Sequence, residues 1–465
     1  MKRLIVIFLI LGVTLLVIPG VIGFQTEERY ETLLSRLEKG GLQIVGRSYQ
    51  RGWFGSRAET ELSLMVPTSS DTGQIQSKEY RFTLLSHISH GLLTTEGLGM
   101  AVVESEMLVD GEPVFPADYP ATIRTSIGLG GTGTTQVDLP QVEIAASGKR
   151  PGIRLGGVQG ELTFSSDLDQ ADIHLNMNGL KLIEGDAKLL EVGRVELNSS
   201  SGLDDASGFM LGGGQFEIEY LDIQDTATGT RIRLAGIGIE VESSAEGGNV
   251  SGFALYRLEK ASVGDQVYGP AELKVAIDHI SGKLMAELQE SLQQINTRQL
   301  SEVEKQTAVM GVLMESGPEF LKSDPRLAVE RLRVKTPDGI VEAHFSIQSG
   351  GLEWKQVGDI SAVLGKLVVD ASLRMPETLF RQLLIQQAER QVTQRLEQRR
   401  QAGERVDVPD KQQLSRMAKT AANQQLEQWL LQEMLVRDGG DITTKASLSD
   451  GLLTVNGKML PIPIL

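Results

Sequence analysis

The chain has 465 residues and no cysteine, which excludes disulfide bonds, thiol catalysis and cysteine-ligated metal sites. Its 61 acidic and 45 basic residues give a formal charge of -16, which argues against binding to nucleic acid or to wide anionic lipid surfaces. Glycine is abundant, with 51 residues, and aromatic residues make up only 5%. This composition favours many short strands, in about two or three domains, over a large enzyme core.

The first segment is an uncharged apolar run from Leu4 to Phe24 that follows Lys2 and Arg3. It is long enough to cross a bilayer, which takes about 20 apolar residues in a helix, and the two basic residues predict a cytoplasmic N-terminus. A cleaved signal peptide is the alternative, but its apolar core is usually only about 7–15 residues. Residues 4–24 therefore predict a transmembrane helix in the bacterial inner membrane, single-pass, with the bulk of the chain in the periplasm.

The next distinctive segment is the motif SYQRGWFGSRA at residues 48–58, which follows a predicted short helix at residues 27–38. Residues 42–45 and 59–66 on either side have strand character, so the motif is predicted to form the turn between two strands. A glycine at the turn is free to adopt a positive φ, and the aromatic pair after it is expected to pack on the sheet. The candidate site residues, for which a structural corner is favoured over a contact site, are Tyr49, Arg51, Gly52, Trp53, Phe54 and Ser56.

The apolar N-terminal run followed by this motif resembles the YdgA-like family of bacterial proteins. Outside the motif the chain is similar to that family in organisation alone: glycine-punctuated strands, then helices and a closing strand. The resemblance implies an exported protein, anchored in the inner membrane and of unassigned function, and it implies no catalytic residues for this chain.

Residues 78 to 275 form a succession of short runs in which polar and apolar residues alternate, such as 173–177 and 216–220. Turn signals separate the runs, for example at 178–179 and 246–249. Strands this close together predict an antiparallel meander, because parallel crossovers would need helices between them. Such a sheet must cover its apolar face with a second layer, a helix or a bound apolar ligand.

The C-terminal part predicts long amphipathic helices and strand hairpins. Apolar residues at helical spacing indicate helices over 281–317, from Pro376 to about residue 399, and over 411–437. Hairpins are predicted through residues 336–339 and 450–451. The expected fold is α+β: an N-terminal transmembrane helix (1–24), a β-rich exported region of mainly antiparallel sheet (25–275), and a helical and hairpin C-terminal region (276–465).

The sequence contains no constellation that commits it to a reaction. The glycine run at 128–133 has nearly the dinucleotide-binding spacing, but the strand-like segment after it offers no helix N-terminus for a phosphate. His87 and His90 point to opposite faces of a strand, and the chain has only five histidines in total. Arginines between residues 381 and 419 suggest either a helix on anionic headgroups or, as favoured, a solvated face with internal ion pairs. We therefore predict no metal, no cofactor and no enzyme activity.

Two functions from different classes follow from this sequence. The first is a membrane-anchored periplasmic protein that binds or carries a lipid or other hydrophobic ligand in a β-sheet groove. The alternative is a structural or adaptor protein that recruits another envelope protein. The expected partners are the inner membrane, through residues 4–24, and either a lipid or a protein of the envelope, but not nucleic acid.

Overall fold

The computed structural model describes residues 43–51, 55–69, 75–90, 93–94, 97–99, 101–109, 112–113, 122–145, 152–167, 169–184, 187–224, 231–297, 302–401 and 411–460. Strands make up 61% and helices 23% of the structure. The chain divides into two compact units. Unit 1 comprises the residues up to Gly248 together with Gly282–Met314. Unit 2 comprises Asn249–Ser281 and the residues from Glu315 onward.

Unit 1 consists mainly of antiparallel strands. The strands of its first half are β1 (Gln43–Arg51), β2 (Gly55–Ser69), β3 (Ile75–His90), β4 (Leu93–Thr94), β5 (Gly97–Leu98), β6 (Ala101–Val109), β7 (Glu112–Pro113), β8 (Thr122–Ile127) and β9 (Gly133–Leu139). The second half contains β10 (Val142–Ile144), β11 (Gly152–Leu155), β12 (Val158–Phe164), β13 (Gln170–Met177), β14 (Leu180–Glu184), β15 (Ala187–Val192), β16 (Val195–Asp204), β17 (Phe209–Gln224) and β18 (Arg231–Glu246). Helix α1 (Gly282–Thr297) follows in this unit, and α2 (Glu302–Lys322) begins in it.

The strands of unit 1 pair in the order β1–β2–β3–β6–β8–β9–β12–β13–β16–β17–β18. A second line, β10–β11–β14–β15, joins the far end of β17. The register is the same in both lines, because Leu139 faces Val158 in the first and Val142 faces Leu155 in the second. Pairs such as β9 and β10 are therefore two halves of one long strand, and the sheet bends between them.

Glycine allows the strands to approach one another closely at this bend. A Cβ added to Gly156 would lie 2.7 Å from the carbonyl oxygen of Asn178, and one added to Gly193 would lie 2.7 Å from the ring of Tyr220. Backbone hydrogen bonding continues across the bend, where the amide of Gly156 donates to the carbonyl of Gly179 at 2.9 Å. The bend thus depends on residues without a side chain, as is usual where one backbone passes close to another.

The inner side of the bent sheet is the core of unit 1, and both halves contribute to it. Alternation along each strand places apolar side chains inside and polar ones outside. The hydroxyls of Thr125 and Thr135 are buried in this core and hydrogen-bond to each other at 2.8 Å, which satisfies both. The most deeply buried side chains of the cluster include Leu62, Val103, Ile127, Leu139, Leu155, Val158, Met177 and Leu180.

Unit 2 combines antiparallel strands with two long helices. Its elements are β19 (Asn249–Val263), β20 (Gln266–Tyr268), β21 (Ala271–Ser281), β22 (Arg326–Thr336), β23 (Gly339–Gln348), α3 (Ile360–Lys366), β24 (Val368–Pro376), α4 (Glu377–Gln401), α5 (Lys411–Leu431), β25 (Val436–Asp438), β26 (Asp441–Ser449), β27 (Leu452–Val455) and β28 (Lys458–Leu460). The strand order is β19–β21–β22–β23–β24–β26–β27–β28, with β20 on β19 and β25 on β26.

Asp324 fixes the connection between α2 and β22. It lies in the left-handed backbone region, with φ +53, and its carboxylate accepts hydrogen bonds from Gln348 Nε2 (2.7 Å), Ser349 Oγ (2.7 Å) and the amide of Gly351 (3.0 Å). Burial raises the pKa of this carboxyl, but the hydrogen bonds, of which that from Ser349 contributes most, outweigh it and lower the pKa. The side chain therefore ties two separate turns together.

The predicted fold class, α+β with a transmembrane helix and long amphipathic helices, is wrong. Sheet dominates the structure, and the transmembrane prediction for residues 4–24 and the short helix at 27–38 lie outside the described residues. No helix in the described part of the chain has both the length and the apolar composition needed to span a bilayer.

The helices that do form differ from the predicted amphipathic ones. The segment predicted as one helix over 281–317 contains α1 and the first part of α2, and α2 continues through Pro318 to Lys322. In α4 Leu383 is 47% exposed, whereas its neighbour Leu384 is buried at 6%. The prediction failed because sparse apolar residues in these polar sequences allow more than one stripe.

Candidate functional site

The candidate site is one face of the unit 2 sheet, where apolar side chains stand in registered cross-strand rows. One row runs from Ala254 through Val275, Val329 and Phe345 to Ala371 on five neighbouring strands. We call this set the apolar sheet face: Ala254, Tyr256 and Leu258 on β19; Leu273, Val275 and Ile277 on β21; Leu327, Val329, Leu332 and Val334 on β22; Val341, Ala343, Phe345 and Ile347 on β23; Val369, Ala371 and Leu373 on β24.

The apolar sheet face is not covered by the described residues of unit 2. Every member of the set is at least partly exposed, and the exposed fraction reaches 44% for Tyr256, 45% for Leu327 and 42% for Phe345. In a two-layer protein the second layer buries such a face. A contiguous exposed apolar surface of this kind marks a site for a ligand or a partner.

The opposite face of the same strands is mainly polar and its charges are internally paired, although Ala276 and Ala328 on it are buried. Arg326 contacts Asp278 at 2.6 Å, and Lys274 contacts Glu330 at 2.8 Å. The hydrogen bond from Lys274 is the main cause of the lowered pKa of Glu330. Further pairs across neighbouring strands are Arg331–Glu272 (2.7 Å), Arg333–Glu342 (3.3 Å) and Arg374–Asp441 (2.8 Å). The polar face is therefore suited to water, and the apolar sheet face is left as the side for another apolar surface.

Helices α4 and α5 close one end of the apolar sheet face. Beyond Leu373 the next side chain on that face is Met375, which is buried and faces Ile442 across β26. Ile442 belongs to the core cluster of unit 2, which also contains Leu384 on α4 and Leu426 on α5. The face is thus covered at the Met375 end and uncovered at Leu327.

An ion-pair network holds these helices in place. Glu377, at the start of α4, accepts hydrogen bonds from Arg437 Nε at 2.8 Å and from Arg381 Nη2 at 2.5 Å. The hydrogen bond from Arg437 is the largest cause of the lowered pKa of Glu377. Arg437 also donates to Glu427 on α5 at 2.7 Å, and Arg381 donates to Asn423 at 2.8 Å. Within the arginine-bearing segment 381–419, Arg381 is therefore internally paired.

The dimensions of the apolar sheet face suit an extended hydrocarbon chain. Its five strands lie about 4.8 Å apart, so the rows are about 19 Å long. One leaflet of a bilayer is about 15 Å of hydrocarbon, half of a core of about 30 Å. An acyl chain of membrane-lipid length therefore fits along a row.

Unit 1 shows the same property on a smaller scale at its last strands. Leu197, Phe216 and Ile239 face one another on β16, β17 and β18, and each is only partly buried. Val241, further along β18, is 46% exposed. The inner face of this unit is therefore covered at the bend and less covered at β18.

The motif residues selected from the sequence lie elsewhere, in unit 1. Tyr49 is half-buried, faces Ala58 across β1 and β2, and packs against the unit 1 core. Arg51 faces Ser56, which is buried. Gly52, Trp53 and Phe54 lie outside the described residues, so the role of the motif stays a prediction.

Chemical groups for catalysis do not converge on the apolar sheet face. The described ranges contain no cluster of three or more histidine and carboxylate side chains that could hold a metal ion. The glycine run at 128–133 is the turn between β8 and β9, and a strand follows it as predicted. Sequence reasoning missed the apolar sheet face as a specific site, although alternation along β21 to β24 contained its signal.

The profile of one protein family matches residues 1–463, nearly the whole chain, and that family is described as "Bacterial protein of unknown function (DUF945)". No curated protein matches the chain significantly. No solved structure does so either.

Proposed function

We propose that this chain, which belongs to the DUF945 family of bacterial proteins, holds the acyl chain of a lipid on the apolar sheet face and catalyses no reaction. The uncovered rows of that face are the observation that carries the proposal. The finer YdgA-like assignment is part of the proposal, and it is supported by the motif at residues 48–58.

The energetic argument starts from the exposed side chains. Apolar surface in contact with water costs about 25 cal/mol per Å² relative to burial, so Tyr256, Leu327 and Phe345 are less stable exposed than covered. A hydrocarbon chain covers them without needing hydrogen-bond partners of its own. The strand backbones beneath it are already paired within the sheet, so no polar group is left unsatisfied.

The proposed location is the periplasmic side of the bacterial inner membrane, attached through residues 4–24. This part rests on the sequence alone: an uncharged run of membrane-spanning length that follows Lys2 and Arg3. Attachment there would keep the apolar sheet face close to the lipid that it binds.

Photo-crosslinking in cells tests the occupant of the face directly. A benzoylphenylalanine placed at Phe345 points to the apolar sheet face, and the same probe at Ser346 points to the paired polar face of the same strand. We expect the probe at Phe345 to give a lipid-sized mass addition and the probe at Ser346 to give none. A protein adduct at Phe345 would replace the lipid proposal with the adaptor alternative.

Lipid co-purification provides the quantitative arm of the test. The full chain is purified in detergent, and bound lipid is extracted and counted by mass spectrometry for the wild type, Phe345→Glu and Ser346→Glu. We expect Phe345→Glu to lose a specific lipid that the wild type and Ser346→Glu retain. Lipid that merely surrounds residues 4–24 would be the same in all three, and equal lipid in all three contradicts the proposal.

A further inference from the structure

A polar depression lies on the outer face of unit 1, on the side of the sheet away from its core. It measures about 580 Å³ and is open to solvent, a volume within the range of about 300–1,000 Å³ that is usual for ligand sites. One of its walls is a cross-strand row of Gln136, Glu161, His174 and Asn198 on β9, β12, β13 and β16.

The second wall is the next outward-facing row on the same strands. It consists of Asp138, Gln159, Asn176 and Glu196. The two rows lie on either side of the backbone of Gly160 on β12. The walls contain four amides, three carboxylates and one imidazole, and neither wall contains a lysine or arginine.

The hydrogen-bonding capacity of these walls is largely unused. Within the described structure only three of the eight side chains have a polar partner: His174 Nδ1 lies 2.9 Å from Asn198 Oδ1, and Glu196 accepts from Arg194 at 3.3 Å. The amide oxygen of Asn176 is enclosed and has no donor at all, an uncommon state for a buried polar atom.

Other outward-facing rows of the same sheet are paired. Arg124 contacts Glu104 at 2.6 Å, and Arg154 contacts Glu143 at 2.7 Å. Lys181 also contacts a carboxylate, that of Glu191, at 2.8 Å. The depression is therefore a place where this sheet presents unpaired polar groups, and where the cations that pair them elsewhere are absent from the walls.

We propose that this depression binds an uncharged oligosaccharide, a ligand class unrelated to the acyl chain proposed for unit 2. Sugar hydroxyls donate and accept at once, so they match both carboxylates, which only accept, and amides, which do both. An anionic ligand is disfavoured, because three carboxylates line the walls and only one of them, Glu196, contacts a cation, Arg194.

Saturation-transfer NMR and titration calorimetry on the full chain test this site. The probes are chitotriose and maltotriose, which are neutral, and trigalacturonate, which is anionic. We expect saturable binding of at least one neutral trisaccharide and none of trigalacturonate. Loss of one sugar hydrogen bond in Glu161→Ala or Gln159→Ala should weaken binding about tenfold.

A matched control is Asp172→Ala, which removes an outward-facing carboxylate from β13, outside the depression. It should leave binding unchanged, and because the substituted positions are exposed all three variants should fold. The proposal is overturned if neither neutral trisaccharide binds, if trigalacturonate binds more tightly, or if Asp172→Ala weakens binding as much as Glu161→Ala does.

Discussion

Truncation of Phe345 to alanine measures how far the apolar sheet face is covered by the protein itself. A phenylalanine enclosed in a core loses about 3–5 kcal/mol on truncation, because burial is lost and a cavity is left. Phe345 is 42% exposed and has no enclosing layer in the described structure. Full burial of such a side chain is worth about 1.5–3 kcal/mol, so the partly buried ring should contribute about 1–1.5 kcal/mol, with no cavity cost.

The matched control is Leu426→Ala in the core cluster of the same unit. Leu426 lies on α5 and is fully buried in this cluster. Its truncation should lower the free energy of unfolding by about 2–5 kcal/mol. Urea unfolding of the lipid-free full chain, followed by tryptophan fluorescence, is a suitable assay, because Trp354 and Trp429 both lie in unit 2. If Phe345→Ala lowers the free energy of unfolding as much as Leu426→Ala does, the face is covered and the reasoning fails.

Three further predictions concern stability. Asp324→Ala should destabilise unit 2 by about 1–3 kcal/mol, because three donors lose their acceptor. Since hydrogen bonds lower the pKa of Asp324 against the effect of burial, its contribution is present above pH 3.8, the ordinary value, and is lost as the pH falls below that; urea midpoints from pH 7 to pH 2 should converge for wild type and variant. Glu377→Gln should cost about 1 kcal/mol at low salt and less in 1 M NaCl, because it removes the charge that Arg437 contacts; a loss independent of salt would contradict this. Gly156→Ala should cost about 1–3 kcal/mol through the close contact at the bend, whereas Gly130→Ala, in open space, should be neutral by thermal unfolding.

Much of the strand content could be predicted from the sequence. Alternation located strands from β3 to β18, and the turn signals at residues 336–339 and 450–451 are hairpin turns in the structure, where Thr336 faces Gly339 and Ser449 faces Leu452. These features are local, because a turn and the period of two are set by residues close together in the chain.

The bend of the unit 1 sheet could not be predicted in this way. The sequence at 178–179 has the signal of a hairpin turn, but the chain continues there from β13 into β14 in the same register against its neighbours. A bend and a turn use the same residues, since both need glycine where backbones approach. Only the pairing of distant strands distinguishes them, and that information is not local.

The apolar sheet face was likewise only partly predictable. Alternation shows that one side of β21 to β24 is apolar, but it does not show whether another layer covers that side. The helices that would have covered it were expected to be amphipathic along their length. In the structure α4 buries Leu384 near its start and leaves Leu383 exposed, so it covers the end of the face at Met375 and not the rows around Phe345.

The paired polar face supports the interpretation that the exposure of the apolar sheet face is specified by the sequence. A shift of one residue in strand register would turn every side chain to the other face. Such a slip in β22 would place Arg326 and Arg331 among the apolar rows and separate them from Asp278 and Glu272. Exposed ion pairs add little stability, but here they oppose the slip that would hide the apolar residues. A sheet held in this register, closed by helices at one end and open at the other, is the arrangement expected of a surface that receives an apolar chain.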